Sequence, residues 1–184
     1  MIDSDPTHRD RGPTEVLPAP IQALLARGDW AGVADALRTV LALNPSLDAA
    51  RAAYVQALLR LGRPTPARIA FEPLRDRAAR RPAMAALAIR VDAAVATDDG
   101  RDEAALAAAA HRDPTDGAAL WRLAQWRIAR GRWADALDSL LELVRLDRAF
   151  GDDAGRRGML AVFELCGDEA LVREYRRRLA AGLH

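Results

Sequence analysis

Residues able to support covalent, redox or metal chemistry are few in this chain of 184 residues. Its one cysteine, Cys166, allows neither an internal disulfide nor a CxxC redox pair. His8, His111 and His184 are far apart, and with a single cysteine they form no metal-ligand spacing. The sequence also contains no glycine-rich phosphate loop and no Ser–His–Asp order. These residues therefore predict a protein that is not an enzyme and that holds no cofactor or metal.

Two acidic pairs and the cysteine have structural interpretations. Asp98–Asp99 and Asp152–Asp153 are expected in turns, where an aspartate side chain can cap a helix. Neither pair is accompanied by a second carboxylate or a base that would make it catalytic. Cys166 follows an apolar stretch without a neighbouring histidine to lower its pKa, so a packing role is expected rather than a reactive thiol.

The densest basic run lies near the C-terminus. It predicts either a surface on the last helix that docks a partner or a solvated cap, because Glu169 and Glu174 are at helical pairing distance. The four arginines of this run are Arg173, Arg176, Arg177 and Arg178.

Charge and hydropathy exclude two classes of partner. All 27 basic residues are arginine, and with 26 acidic residues the formal net charge is +1, which disfavours nucleic-acid binding through bulk charge. Apolar runs such as the seven residues from Ala104 are far shorter than the roughly 20 that span a bilayer. The N-terminus is polar and has no signal-peptide core. We therefore expect a cytoplasmic protein with neither a membrane nor a nucleic-acid partner.

The elements that must position any site are helices. The 41 alanines, 27 arginines and 25 leucines make up half of the chain and favour helix almost everywhere. Three similar segments begin at Gly28, Gly62 and Gly131, which are 34 and 69 residues apart, or one period of 34 and two periods plus one residue. This period is the tetratricopeptide spacing, in which helix–turn–helix units stack on their neighbours. Glycine suits the turn within each unit because it tolerates a positive φ.

The sequence thus predicts an all-α, tetratricopeptide-repeat-like right-handed solenoid of about five helix pairs. Residues 1–19 are rich in proline and charge and are expected to form a disordered tail or linker. The repeat domain is expected over residues 20–184, with approximate repeats 20–45, 46–79, 80–113, 114–148 and 149–184.

A concave groove lined by the first helix of each pair is the natural binding surface of such an array. Trp121 and Gln125 fall on this side in the fourth pair, and an aromatic anchor beside an amide suits peptide binding. Trp126 shares that helix, and either tryptophan can instead fill gaps between repeats, whereas Trp30 and Trp133 at the turns are expected to be structural. The remaining groove candidates are Ala118, Ile128, Gln56 and Arg60, of which the arginine can also be simply solvated.

Motifs beyond the general repeat pattern carry a family resemblance. The DPTD segment, GRWADALDSLLELVRLDR, DDAGRRGMLAVFELCGD and the closing LVREYRRRLA resemble the C-terminal part of bacterial thioredoxin-like proteins with a tetratricopeptide extension, the chaperedoxin group. RGDWAGVADALRTVLALNP and ALLRLGRPTPARIAF resemble the first repeats of the same family. The resemblance covers about residues 20–184.

This resemblance implies a co-chaperone that binds unfolded clients or tethers a chaperone. Family members begin with a thioredoxin-like domain that carries an active-site cysteine, but this sequence contains no CxxC or SxxC, so no redox function follows. The alternative is a scaffold that recognises one folded partner or a short peptide. Its groove is not expected to form the usual clamp for acidic C-termini, because the chain has no lysine and its only asparagine, Asn44, lies near a repeat boundary.

Overall fold

The computed structural model describes residues 17–78 and 80–181, and every regular element in these ranges is helical. The all-helical prediction is therefore confirmed. Most of the expected tail, residues 1–16, lies outside the described residues. The helices are α1 (Ala19–Ala26), α2 (Trp30–Leu43), α3 (Asp48–Arg60), α4 (Pro64–Phe71), α5 (Arg75–Ala78), α6 (Pro82–Ala96), α7 (Glu103–Arg112), α8 (Gly117–Arg130), α9 (Trp133–Leu146), α10 (Ala154–Leu165) and α11 (Glu169–Ala181).

The helices form five consecutive helix–turn–helix pairs: α1 with α2, α3 with α4 and α5, α6 with α7, α8 with α9, and α10 with α11. In pair two, α4 and α5 together take the place of the second helix. Pro73 causes this division, because proline has no N–H to donate and disfavours the helical interior. The backbone tightens into a 3₁₀ turn over Glu72–Leu74 before α5 begins. Within pairs one, two and four the turn glycines adopt φ values of +67° at Gly28, +66° at Gly62 and +72° at Gly131, as their positions predict.

Helix α6 is the centre of the array. It packs against α4 and α5 on one side and against both α8 and α10 on the other. Its contact with α10 joins pair three directly to pair five, whereas units of a regular solenoid contact only their neighbours. The first helices of the last three pairs are α6, α8 and α10. Because α6 and α10 pack together, the surface that these three helices form is a groove rather than the broad concave surface expected from a regular array.

Glycines on α10 permit this helix to pack closely against α9. Gly158 of α10 faces α9 so closely that a Cβ added there would lie 2.7 Å from Cδ2 of Leu140 and 3.4 Å from the Trp121 ring. At Gly155 the corresponding distance to Cγ2 of Val144 is 2.8 Å. Both glycines are therefore needed by the interface between α10 and the preceding pair, not by the backbone conformation of their helix.

Helix α7 is attached to α8 rather than to α6. Glu103 accepts a hydrogen bond from Nε of Arg127 at 3.0 Å and also forms an ion pair with Arg132. Leu106 packs with Leu120 in a small apolar cluster of its own. The six-residue connection 97–102 makes this displacement possible, because it is longer than the turns of the other pairs.

The acidic pairs do not cap helices, which corrects that expectation. Asp102 is the residue that caps α7, accepting a hydrogen bond from the amide of Ala105 at 2.8 Å. Asp99 instead forms an ion pair with Arg122 at 2.6 Å. Asp153 occupies the cap position of α10, but its left-handed backbone, with φ +62°, turns the side chain away from the helix amides.

The largest apolar core joins α8, α9, α10 and α11, with Leu140 fully buried at its centre. We expect Leu140→Ala to lower the free energy of unfolding by about 2–5 kcal/mol, because it removes buried methyl groups and leaves a cavity. Leu43 has 85% of its surface exposed, so Leu43→Ala is the matched control and changes stability by about 0.5 kcal/mol or less. Urea unfolding followed by circular dichroism measures both; equal losses would contradict this description of the core.

Candidate protein-binding groove

A groove runs between the first helices of the last three pairs, and we call it the α6–α10 groove. One part is a cavity of about 290 Å³ that α6, α8 and α10 enclose together. Trp121 and Gln125 of α8 form one wall, and Ile89 and Asp92 of α6 form the opposite wall. Arg157 of α10 stands at the edge. The indole is half-buried, so its ring both supports the core and faces the cavity.

A second cavity of about 380 Å³ adjoins the first, because Ile89 and Arg157 line both. Its walls are mainly apolar and include Leu160 and Phe163 of α10. Leu160 is 44% exposed, which is unusual for a large apolar residue in this protein. Arg176 of α11 closes one end, with its Cζ 5.5 Å from the centre of the Phe163 ring. The second cavity is therefore an open apolar site with charged residues at its rim.

The two charged side chains that line the first cavity, Arg157 and Asp92, each form an ion pair with a residue outside the groove. Arg157 forms an ion pair with Asp152 at 3.2 Å and donates a hydrogen bond to the carbonyl of Gly151 at 3.0 Å. Asp92 forms an ion pair with Arg75 at 3.2 Å, and this hydrogen bond raises the pKa of the Arg75 guanidinium. Because Asp152 is highly exposed, an acidic group on a ligand can replace it at Arg157 with little desolvation.

This arrangement suits recognition of a short peptide segment. Two adjoining cavities accept apolar side chains, and the Gln125 amide and Arg157 guanidinium offer hydrogen bonds to a backbone or carboxylate. Among the described residues, no group of three or more His, Cys, Asp or Glu side chains is placed to hold a metal ion. None of the described helices is long and apolar enough to cross a membrane.

The structure places Trp121 and Gln125 in the wall of one cavity, but it separates the other candidates of α8. Ile128 is fully buried in the main core, so the expectation that it lines a groove is wrong. Ala118 is exposed in the first turn of α8, away from both cavities. Trp126 packs against the apolar cluster of α7 and α8, and its indole N–H donates to the carbonyl of Arg101, in the connection before α7, at 3.1 Å.

The two candidates of α3 lie outside the α6–α10 groove. Gln56 lines a separate cavity of about 130 Å³ between α3 and α6. Arg60, at the end of α3, stacks over the Trp30 ring with its Cζ 5.4 Å from the ring centre. Neither candidate of α3 lines the cavities that contain Trp121 and Gln125.

The C-terminal arginines divide in the same way. Arg178 forms an ion pair with Asp138 of α9 at 3.3 Å and lies over the Tyr175 ring, so it holds α11 in place. Arg176 lines the groove, while Arg173 and Arg177 are exposed on the outer side of α11. Cys166, at the end of α10, is half-buried and packs against the main core.

Sequence reasoning missed Ile89, Arg157, Leu160 and Phe163 as groove residues. One feature of the sequence does indicate that α6 and α10 can approach closely, namely small residues on both helices. These are Ala85 and Ala86 on α6 and Ala161 on α10. Leu160 was a second signal, since it interrupts the polar face of an otherwise amphipathic helix.

Comparison with known families places repeats over most of the chain. Residues 24–89 and residues 96–184 each match a tetratricopeptide repeat family. No curated protein matches the chain. The chaperedoxin resemblance, and with it the expected thioredoxin-bearing relatives, stays a prediction.

Docking of α11, which supplies Arg176 to the groove, depends on a buried tyrosine. The hydroxyl of Tyr175 donates to Oδ1 of Asp138 at 2.6 Å, and burial together with this carboxylate raises the pKa of Tyr175 to about 12. The neutral phenol is the favoured form in the folded state. Its contribution to stability is therefore complete below pH 10 and is lost as the pH rises through about 12.

We expect Asp138→Asn to lower the pKa of Tyr175, because the amide carries no negative charge. An absorbance titration of tyrosinate formation measures this, with Tyr54→Phe as the background so that Tyr175 is the one tyrosine observed. An unchanged pKa in Asp138→Asn would show that burial alone is responsible.

Proposed function

Because the chain consists of tetratricopeptide repeats over most of its length, we propose that it is a non-enzymatic protein-interaction module that binds a short segment of a partner in the α6–α10 groove. Tetratricopeptide repeats indicate protein–protein interaction, and such arrays are generally scaffolds without catalytic activity. The observation that carries the choice of site is the pair of adjoining cavities between α6, α8 and α10, with Trp121 and Leu160 in their walls.

The chemistry of the groove supports a peptide rather than a folded surface. Together the cavities have the depth to take one or two apolar side chains, which provide most of the binding free energy at such sites. Gln125 and Arg157 can then fix the direction of the peptide through hydrogen bonds. A flat folded partner would leave both cavities unfilled.

A chaperone that holds unfolded clients is the second candidate, and the family resemblance supports it. Such a function needs a broad apolar surface that can adapt to many sequences. In the part of the chain that the structure describes, the exposed large apolar residues are dispersed over four helices: Leu43, Ile69, Leu146 and Leu160. This distribution favours selective binding of a segment, including tethering of a chaperone partner, over holding of unfolded chains.

The experiment that tests the groove uses a substitution on its surface. We expect peptides selected from a displayed random library to bind the native protein and to bind Leu160→Asp about tenfold or more weakly, because the charge must be desolvated in an apolar cavity. Leu160 is preferred to Trp121, whose ring also packs in the core. Isothermal titration calorimetry measures the affinities.

Ile69→Asp is the matched control, because Ile69 is 68% exposed on α4, outside the groove. It should leave peptide affinity unchanged. If both variants bind peptides as tightly as the native protein does, the groove is not the binding site. If Ile69→Asp alone loses affinity, the site lies on α4.

A separate measurement distinguishes the second candidate. A holding chaperone suppresses light scattering by a chemically unfolded model protein when it is present in molar excess, and Trp121→Ala should reduce that effect only in part. A selective module shows no suppression, and Trp121→Ala abolishes binding of its selected peptide. Suppression by the native protein that survives Leu160→Asp would favour the chaperone function.

A further inference from the structure

Arg90 is the most unusual charged residue of the protein. It lies in the middle of α6 with only 4% of its surface exposed. Its Nε is buried and has no hydrogen-bond partner among the described residues. Burial, together with the nearby charge of Arg60, lowers the pKa of its guanidinium to about 10. A buried cation with another cation beside it is costly in free energy unless an anion compensates it.

The surroundings of Arg90 form a defined site at the edge where the helix pairs turn. Its Cζ lies 5.3 Å from the centre of the Trp133 ring. Arg60 approaches from α3 and stacks on Trp30, and its charge acts on the Arg90 guanidinium, so two cations and two indole rings share this region. Nη1 of Arg60 lies 3.8 Å from the position that a Cβ on Gly131 would occupy, and the Trp133 ring lies 3.4 Å from the same position, so both side chains lie at this turn.

Contact with the tryptophan rings is favourable for both guanidinium groups but supplies no counter-charge. A cation over an indole face gains less free energy than burial of an ion costs. The C-termini of α3 and α8, at Arg60 and Arg130, add partial negative charge nearby. They do not provide an acceptor for Nε of Arg90.

We propose that Arg60 and Arg90 form a binding site for a small oxyanion, a carboxylate or a phosphate, separate from the α6–α10 groove. Both groups present two or more oxygens that match the planar donors of a guanidinium. The anion would enter from the exposed side of Arg60 and reach the inner guanidinium of Arg90, with Trp30 and Trp133 as side walls. The site does not depend on the proposed peptide binding.

The test is a titration of the full chain with sodium phosphate and, separately, sodium acetate through the millimolar range. Sodium chloride holds the ionic strength constant, and tryptophan fluorescence and calorimetry report binding. We expect saturable binding by the native protein. Arg90→Met and Arg60→Met should each weaken it about tenfold or more, since each removes charge-assisted hydrogen bonds. Saturation by phosphate alone identifies a phosphate site, and saturation by both anions identifies a general oxyanion site.

Arg38→Met is the matched control, because Arg38 is exposed on α2 and its loss changes the net charge equally. It should leave binding unchanged. Arg90→Met should fold with equal or greater stability in buffer without phosphate, since it replaces an unpaired buried charge with an apolar chain. The proposal is overturned if neither anion saturates the native protein, if Arg90→Met binds as the native protein does, or if Arg38→Met loses as much affinity as Arg90→Met.

Discussion

The close packing around α6 is the constraint on which the rest of the structure depends. This helix contacts elements from pairs two, four and five, and small buried residues on it, including Ala86 and Ala93, suit such close approach, while Gly158 lets α10 pack closely on α9. Arg90 is buried on this helix, and the cavities of the α6–α10 groove lie between it, α8 and α10. Side-chain size at a few positions therefore determines where ligands can bind, because a larger residue would push α10 away and open the array.

Periodicity was enough to predict the helices and most of their turns. The 34-residue spacing and the glycines at the turns reflect local physical requirements, namely an apolar stripe and a positive φ, and such requirements can be read from neighbouring residues. The contact between α6 and α10 depends instead on the cumulative rotation of three successive pairs. A small change in each interface adds up, so no single segment of the sequence specifies it.

The groove illustrates the same difference. Trp121 and Gln125 line one cavity because they lie about one helical turn apart on one face of α8, a relation that the sequence spacing itself indicates. Ile128 is three residues after Gln125 and so lies near the same face of α8, but it is buried in the main core with residues of α9. Leu160 and Arg157 come from a pair whose contact with α6 was not expected, so their role was not foreseen. The composition of a site is thus predictable within a helix but not between non-adjacent repeats.

The contact between α6 and α10 also affects the cooperativity with which the repeats unfold. An array with contacts only between neighbours behaves as a one-dimensional chain of units, in which end units can unfold independently. Here the fifth pair covers the third, so loss of the terminal pair exposes the central helix as well. The contact between α6 and α10 therefore couples the stability of the third and fifth pairs, which opposes the independent unfolding of the terminal pair that is common at the ends of repeat arrays.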